Sequence, residues 1–423
     1  MFKSLIISIL IGFTRFYASM ITREYKFYNS LIINTLDKIS KINKCRKDFF
    51  CETIILFLCI KGRINFLQLG RYGLSGEQRY RQQFEKPFDF LAFNKELVLS
   101  NGSGRYVIAF DPSYIDKSGK KTTGLGWYWS GCAGKAKWGL EIGGIAAIDI
   151  DNHTAFHLEA VQTLHSHEQT LTQWYIDLLT ERSAALVSIS PYFVADAWFS
   201  KKPFVDVVTA MGMHFVCRLR DDADLLYLYT GSHTGQKGRP KKYAGKIDIG
   251  NIDKDYFALV EQTCGHTLYS AIVYSKSLKR NIRLAYVLYN TGKEKQTIKL
   301  YYSTDLDLCP KDILLFYQSR FQIEFLYRDG KQFTGLCDVQ ARGKNKLDFH
   351  FNASLTAINI AKVKDWLSIP RQERRQFSMS DIKTMNHNRL LLSRFFYVFG
   401  IDPNKPKNKD AVNELIYYGT IAA

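Results

Sequence analysis

The sequence predicts an α/β fold: a mixed strand-and-helix core, interrupted by an inserted antiparallel β-sheet and preceded by a mainly helical region. Three observations predict it. Five apolar runs have strand length and composition: Tyr106–Phe110, Leu140–Ile150, Thr154–Thr163, Pro191–Ala195 and His214–Leu219. Helical patterns over Ser166–Arg182 and Lys201–Met211 separate the last three of them. Between Asp221 and Leu300 the pattern changes to short alternating segments, and two buried-helix stretches follow at Tyr317–Lys331 and Leu347–Trp366.

Taken in order, residues 1–104 read as a helical, basic region. Leu5–Phe13 is an apolar run after Lys3, with the outline of a signal-peptide core, but it is too short to span a bilayer and Arg15 follows at once. A packed helix is the preferred reading, with Met20 as an alternative start. Arg23, Lys26, Lys38, Lys41, Lys44, Arg46 and Lys47 are scattered through the next helices, and Arg71, Arg79 and Arg81 lie near Tyr72 and Tyr80. A DNA-binding unit and a basic solvated cap fit equally well, since no helix-turn-helix pattern emerges. Asn101–Gly104 reads as a linker.

Residues 105–220 form the first part of the core. Tyr106–Phe110 delivers Asp111 at its end, and Pro112 is expected to stop the strand. Trp127, Trp129 and Trp138 lie in a Gly-rich, hairpin-like stretch. Ser166 and Gln169 resemble a capping box for the next helix. Pro191–Ala195 delivers Asp196. Three antiparallel-looking strands, then helix, strand, helix and strand, is the order of a ribonuclease H-like α/β fold.

Residues 221–303 read as the inserted strands: Lys246–Ile252, Tyr256–Gln262, Leu268–Tyr274, Arg283–Tyr289 and Thr297–Tyr302. At their entrance stands Gln236–Lys242, a Gly-Arg-Pro core flanked by lysines. Lys237, Arg239, Lys241 and Lys242 suit either a minor-groove hook or a loop that touches phosphates only. Residues 304–369 complete the core, and 370–423 form a basic, aromatic, helical tail.

Lys plus Arg number 58 against 40 acidic residues, a net charge of +18 over 423 residues. A balance this basic points to a polyanion, nucleic acid before anionic membrane. The eight cysteines show no CxxC and no His/Cys cluster, which excludes a zinc or disulfide framework and fits reduced thiols.

Tyr317, Arg320, Glu324 and Lys331 fall at offsets of zero, three, seven and fourteen. At roughly 100° per residue they project within about 60° of one another on a single helix. A carboxylate flanked by a guanidinium, an ammonium and a phenol can bind a hard cation and hold a phosphate beside it. The plainer reading is a solvated charged face with an Arg–Glu pair.

The spacing Tyr-x2-Arg-x3-Glu-x6-Lys resembles the signature around the last acidic residue of DDE transposases of bacterial insertion sequences, the IS-four family. Four such matches arise by chance in ~400 positions only a few times in a thousand. The resemblance covers roughly residues 105–362 and implies a triad of Asp111, Asp196 and Glu324 holding Mg²⁺ or Mn²⁺, with two ions expected. It implies that Tyr317 and Arg320 hold the DNA end and that Lys331 contacts its backbone. It also implies double-stranded DNA as partner (terminal inverted repeats and target), a homodimer in the active complex, and a cytoplasmic, nucleoid-associated protein with no membrane partner. Asp116 is a possible rival ligand, Trp198 a base-stacking or core residue, and His350 and Asn352 structural residues. A nuclease without strand transfer and a non-catalytic DNA-binding protein remain alternatives.

Overall fold

The computed structural model describes residues 23–39, 41–164, 168–231, 240–290, 297–403 and 405–421. The apolar run at 5–13 and the basic residues Lys237 and Arg239 lie outside them. Among the described residues five helices come first: α1 (Arg23–Ile39), α2 (Lys44–Cys59), α3 (Phe66–Tyr72), α4 (Glu77–Gln83) and α5 (Phe90–Asn101). Asn43, Asn65 and Asp89 cap three of them, each side chain accepting from the backbone N–H three residues on. Arg46 is spent on the end of α4: it donates to the carbonyls of Gln83 and Lys86 and lies over the Phe349 ring. These helices have no core of their own. Phe84 and Phe50 pack with Phe349 of a much later helix, and one hydrophobic cluster runs from Tyr28 to Leu390.

The expected linker at 101–104 is pinned. Buried Asp149 accepts from Ser103 N (2.8 Å) and Ser103 Oγ (2.7 Å), and from both nitrogens of Asn152. A four-fold satisfied carboxylate is a stable junction rather than a hinge.

The strands are β1 (Tyr106–Asp116), β2 (Gly126–Ser130), β3 (Lys135–Asp149), β4 (Thr154–Gln162), β5 (Tyr192–Ala195) and β6 (His214–Arg218), with α6 (Leu171–Val187) and α7 (Lys202–Ala210) between them. Around β1 the order is β4, β3, β1, β5, β6: antiparallel on the β3 side and parallel on the β5 side. The helix expected from Ser166 starts instead at Leu171, where Thr170 Oγ1 accepts from Gln173 N; Ser166 itself is outside the described residues.

Contrary to expectation, β1 runs on through Pro112 to Asp116. Arg105 O accepts from Ile150 N, so odd residues of β1 bond to β3 and the nitrogen of Pro112 faces the other side. There the partner β5 has ended at the Phe110–Ala195 pair, and no ladder bond is lost.

The inserted strands are also not a separate sheet. β7 (Leu225–Leu228), β8 (Tyr243–Lys246), β9 (Ala258–Gln262), β10 (His266–Ser275), β11 (Arg280–Tyr289) and β12 (Thr297–Ser303) join the core through the antiparallel pair β12–β6. Among the described residues one sheet of twelve strands results. The strand expected over Lys246–Ile252 is mostly turn, since β8 ends at Lys246, and β7 was not foreseen.

Then come α8 (Pro310–Ser319), α9 (Gln322–Phe333), α10 (Lys344–Ala361), α11 (Met379–Phe399) and α12 (Pro406–Tyr417). The single helix expected over Tyr317–Lys331 is two. Arg320 and Phe321 form a tight turn between them, with Phe321 N, Ile323 N and Glu324 N each bonding three residues back.

Helix α10 closes the open edge of β4. Asn352 accepts from Ala160 N and donates to Ala160 O (both 2.8 Å), and Asn359 does the same at His157 (2.9 and 2.7 Å). Seven residues apart on one helix, the two carboxamides stand in for a neighbouring strand. Among the described residues the eight cysteines are free, and no helix is long and apolar enough to cross a membrane.

Candidate active site

Two aspartates emerge side by side. Phe110 pairs with Ala195 in the parallel β1–β5 ladder, so the next residues, Asp111 within β1 and Asp196 just past β5, stand at the same level. Adjacent strands lie about 4.8 Å apart, and the carboxyl end of a parallel pair is where α/β sheets place ligands. Asp196 opens the short 3-10 turn Ala197–Phe199, and its side chain makes no capping bond. Among the described residues, neither the Asp111 nor the Asp196 carboxylate has a hydrogen-bond partner.

Glu324 arrives on α9, which three contacts seat against β1 and β3. Tyr327 Oη donates to the Asp111 carbonyl at 2.6 Å, and Lys331 Nζ donates to Ser113 Oγ at 3.0 Å. The third is a close approach. A Cβ on Gly144, the β3 partner of Asp111, would stand 1.8 Å from Tyr327 Oη. Glu324, Tyr327 and Lys331 are spaced i, i+3 and i+7 on one helix face.

Arg320 Nη2 binds Glu324 Oε1 at 2.9 Å from the turn before α9, while its buried Nε has no hydrogen-bond partner among the described residues. Burial works against the Arg320 cation, but the charges of Asp111, Tyr317, Glu324 and Asp196 outweigh it and raise its pKa. Tyr317, at the end of α8, has its ring 5.0 Å from that of Tyr301 and 5.9 Å from the Arg320 guanidinium carbon. Burial first, then Cys217, pushes its hydroxyl up to about 12.

Asp111 reports on the whole cluster. Burial pushes its carboxyl up to about 7; Arg320 and Lys331 oppose the shift, and Glu324 and Asp196 add to it. So the six charged or phenolic groups share one field, with three acids facing two cations and a phenol. Residues 103–360, more than half of the chain, match the family model of the transposase DDE domain. The chain belongs to that family. No curated protein matches it.

For a DDE transposase the family implies DNA as partner, a ribonuclease H-like fold and divalent-metal chemistry. The donor set fits a hard cation: carboxylate oxygens only, two of them with their lone pairs unspent. Even so, among the described residues no three His, Cys, Asp or Glu side chains stand close enough to close around one ion. Glu324 faces Arg320 instead.

Other sequence candidates fall elsewhere in the transposase. Asp116 is five residues along β1 from Asp111, on the opposite sheet face, where it accepts from Tyr114 Oη. Trp198 is 45% exposed with Lys201 Nζ 3.4 Å from its ring centre, so it is neither core nor free. His350 is buried with Nε2 2.8 Å from the Gly335 carbonyl, a structural role. Lys241 and Lys242 are exposed beside β8, at the far end of the sheet. Seven strand spacings separate β8 from β1, about 34 Å along the sheet. Sequence reading missed Tyr327, Ser113 and Gly144. The Gly143-Gly144 pair inside a strand was the available signal, since glycine there marks a close approach.

Proposed function

We propose that this transposase binds the terminal inverted repeats of an IS-four-type element, cleaves the ends with divalent metal, and joins the 3′-hydroxyls to target DNA. The observation that carries the reading is the β1–β5 register, which sets Asp111 beside Asp196 under the helix that bears Glu324. Asp111, Asp196 and Glu324 are the residues that would hold Mg²⁺ or Mn²⁺ within a ribonuclease H-like core. When bound, paired ions activate a water or 3′-hydroxyl and stabilise the leaving oxygen.

The chain's own groups supply the rest. Arg320, with a buried N–H still unspent, is placed to donate to a phosphate oxygen next to the carboxylates. Lys331 adds a point charge along β1, and Tyr317 closes the other side. The basic helices before residue 105, and Lys241 and Lys242 with their neighbours Lys237 and Arg239, would grip more distant DNA. Two ends per element imply a homodimer in the active complex.

The test uses purified protein, a labelled duplex carrying the element's own terminus, and Mg²⁺ or Mn²⁺. A nick at the element boundary and transfer of that end into a plasmid, both lost in Asp111→Ala, support the reading. Cleavage without transfer would make it a nuclease, and tight binding with neither a non-catalytic DNA-binding protein.

A further inference from the structure

The β2–β3 hairpin presents an exposed aromatic face. Trp127 is 70% exposed, Trp129 65% and Trp138 41%, although large apolar side chains are normally covered. Strand alternation sets all three on one side: Trp138 pairs with Trp127, Ala136 with Trp129, and Tyr128 between them is buried on the other. β2 is the end of the sheet, and among the described residues its outer edge pairs with no strand.

This indole face belongs to the same sheet face as Asp111. Trp138 and Gly144 are six residues apart on β3, hence on one side, and Gly144 is the partner of Asp111. At about 3.3 Å per residue the indoles begin roughly 20 Å from the carboxylates. Ser113, with Lys331 bonded to it, lies on the way.

The loop beside the indoles is basic, with Asp116 at the end of β1 the nearby acid: Tyr114 Oη donates to both the Asp116 carboxylate and the Trp138 carbonyl. Residues 117–140 contain Lys117, Lys120, Lys121, Lys135 and Lys137 and no acidic residue. Trp138 Nε1 donates to the Gly119 carbonyl, which brings the loop that carries Lys120 and Lys121 against the indoles. Lys135 and Lys137 pair with Ser130 and Tyr128 and so project from the other face, but a flat apolar face with the Lys120 and Lys121 ammonium groups beside it complements a chain of flat bases joined by phosphates. Trp127 meets Trp138 edge-on, with centroids 6.0 Å apart. Trp129 follows Trp127 by two residues on the same face, a separation of about 6.6 Å along the strand. That gap is about twice the thickness of an aromatic ring, and one base fits between two indoles.

We propose that this hairpin is a binding site for an unpaired DNA strand, with one base seated between Trp127 and Trp129 and the flanking phosphates on Lys120 and Lys121. The strand comes from the element end that the carboxylates act on, running past Lys331. This rests on the transposase reading for the origin of the strand, not for the chemistry of the site.

The test is fluorescence anisotropy with the full chain in EDTA, so that cleavage plays no part. The probes are a duplex bearing the element terminus and the same duplex opened into a single-stranded fork. The fork is expected to bind more tightly. Stacking on one indole predicts that Trp127→Ala and Trp129→Ala each weaken fork binding by about 5- to 150-fold, with Trp127→Tyr intermediate and duplex binding within twofold. Loss of fork and duplex binding in parallel, or no loss at all, would overturn the site. So would fork binding intact alongside a dimer in sedimentation that Trp129→Ala dissociates, because a second copy then covers the indoles. Asp111→Ala, which abolishes cleavage under the proposed function, leaves fork binding unchanged. Failure of the catalytic reading is therefore distinguishable from failure of this one.

Discussion

Tyr327 Oη donates a 2.6 Å hydrogen bond to the main-chain carbonyl of Asp111, tying the helix of Glu324 to the strand of the first aspartate. The bond exists because Gly144 leaves the phenol room: any side chain at 144 would occupy the hydroxyl's place. Tyr327 and Gly144, which no charge pattern flags, thus tie the elements of two acids together.

Gly144→Ala is expected to destabilise the fold by about 1–3 kcal/mol through overpacking and to lower metal-dependent cleavage more than DNA binding. Tyr327→Phe costs about 1 kcal/mol for the lost hydrogen bond. Because the phenol oxygen is the clashing atom, the double variant should be more stable than the sum of the singles. Urea unfolding of all four proteins measures this coupling. Strict additivity would mean that α9 does not rest on Gly144.

Glu324→Gln keeps the shape of the side chain and its contact with Arg320 but removes the charge. Cleavage of a terminus duplex should fall by at least about a hundredfold, taking a lost charge-assisted interaction at the reacting centre as roughly 3 kcal/mol. Binding of the same duplex in EDTA should change little. Single-turnover cleavage and anisotropy on one preparation separate the two. Equal cleavage by parent and variant would remove Glu324 from the site.

Burial raises the Asp111 pKa to about 7, so the folded state holds its proton more tightly than the unfolded chain does. Its stabilising contribution is therefore full below the unfolded value of about 4 and is lost as pH rises through about 7. Without metal, Asp111→Asn should match the parent below about pH 4 and exceed it at pH 8.5 by about 1–4 kcal/mol. Unfolding midpoints in EDTA across that range check the sign. A gap that closes as pH rises would refute the assignment.

Asn359→Ala strips partners from both His157 N and His157 O on the buried edge of β4. Two orphaned backbone groups predict a loss of about 2–4 kcal/mol, with a thermal midpoint to match. Asn359→Asp, which sets a buried carboxylate against the Asn94 and His157 oxygens, should cost at least as much. A cost below ~1 kcal/mol would mean that water replaces the carboxamide.

How much of this was legible in the residues varies by element. The apolar runs ending in Asp111 and Asp196, and the spacing of Tyr317, Arg320, Glu324 and Lys331, were readable because strand length, helix period and charge are local properties. The continuation of β1 through Pro112 was not, because it depends on β5 ending opposite Phe110, two residues earlier, a fact of pairing. The break at Arg320–Phe321 escaped for a related reason: both residues keep right-handed dihedrals, and only the bonding pattern tightens.

By itself, then, the sequence determined the chemistry on offer: three acids, a guanidinium, a phenol and an ammonium at fixed chain positions, within a strongly basic chain. Tertiary structure alone decided which of them meet. The β1–β5 register aligned the aspartates, and the Gly144–Tyr327 approach delivered Glu324. The β12–β6 pairing carried Lys241 and Lys242 to the far end of the sheet, and the place of β2 at its other end left three tryptophans in the open. Spacing along a chain constrains neighbours within a helix turn or a strand. Contact between residues 33 to 216 positions apart depends on packing, which no local pattern encodes.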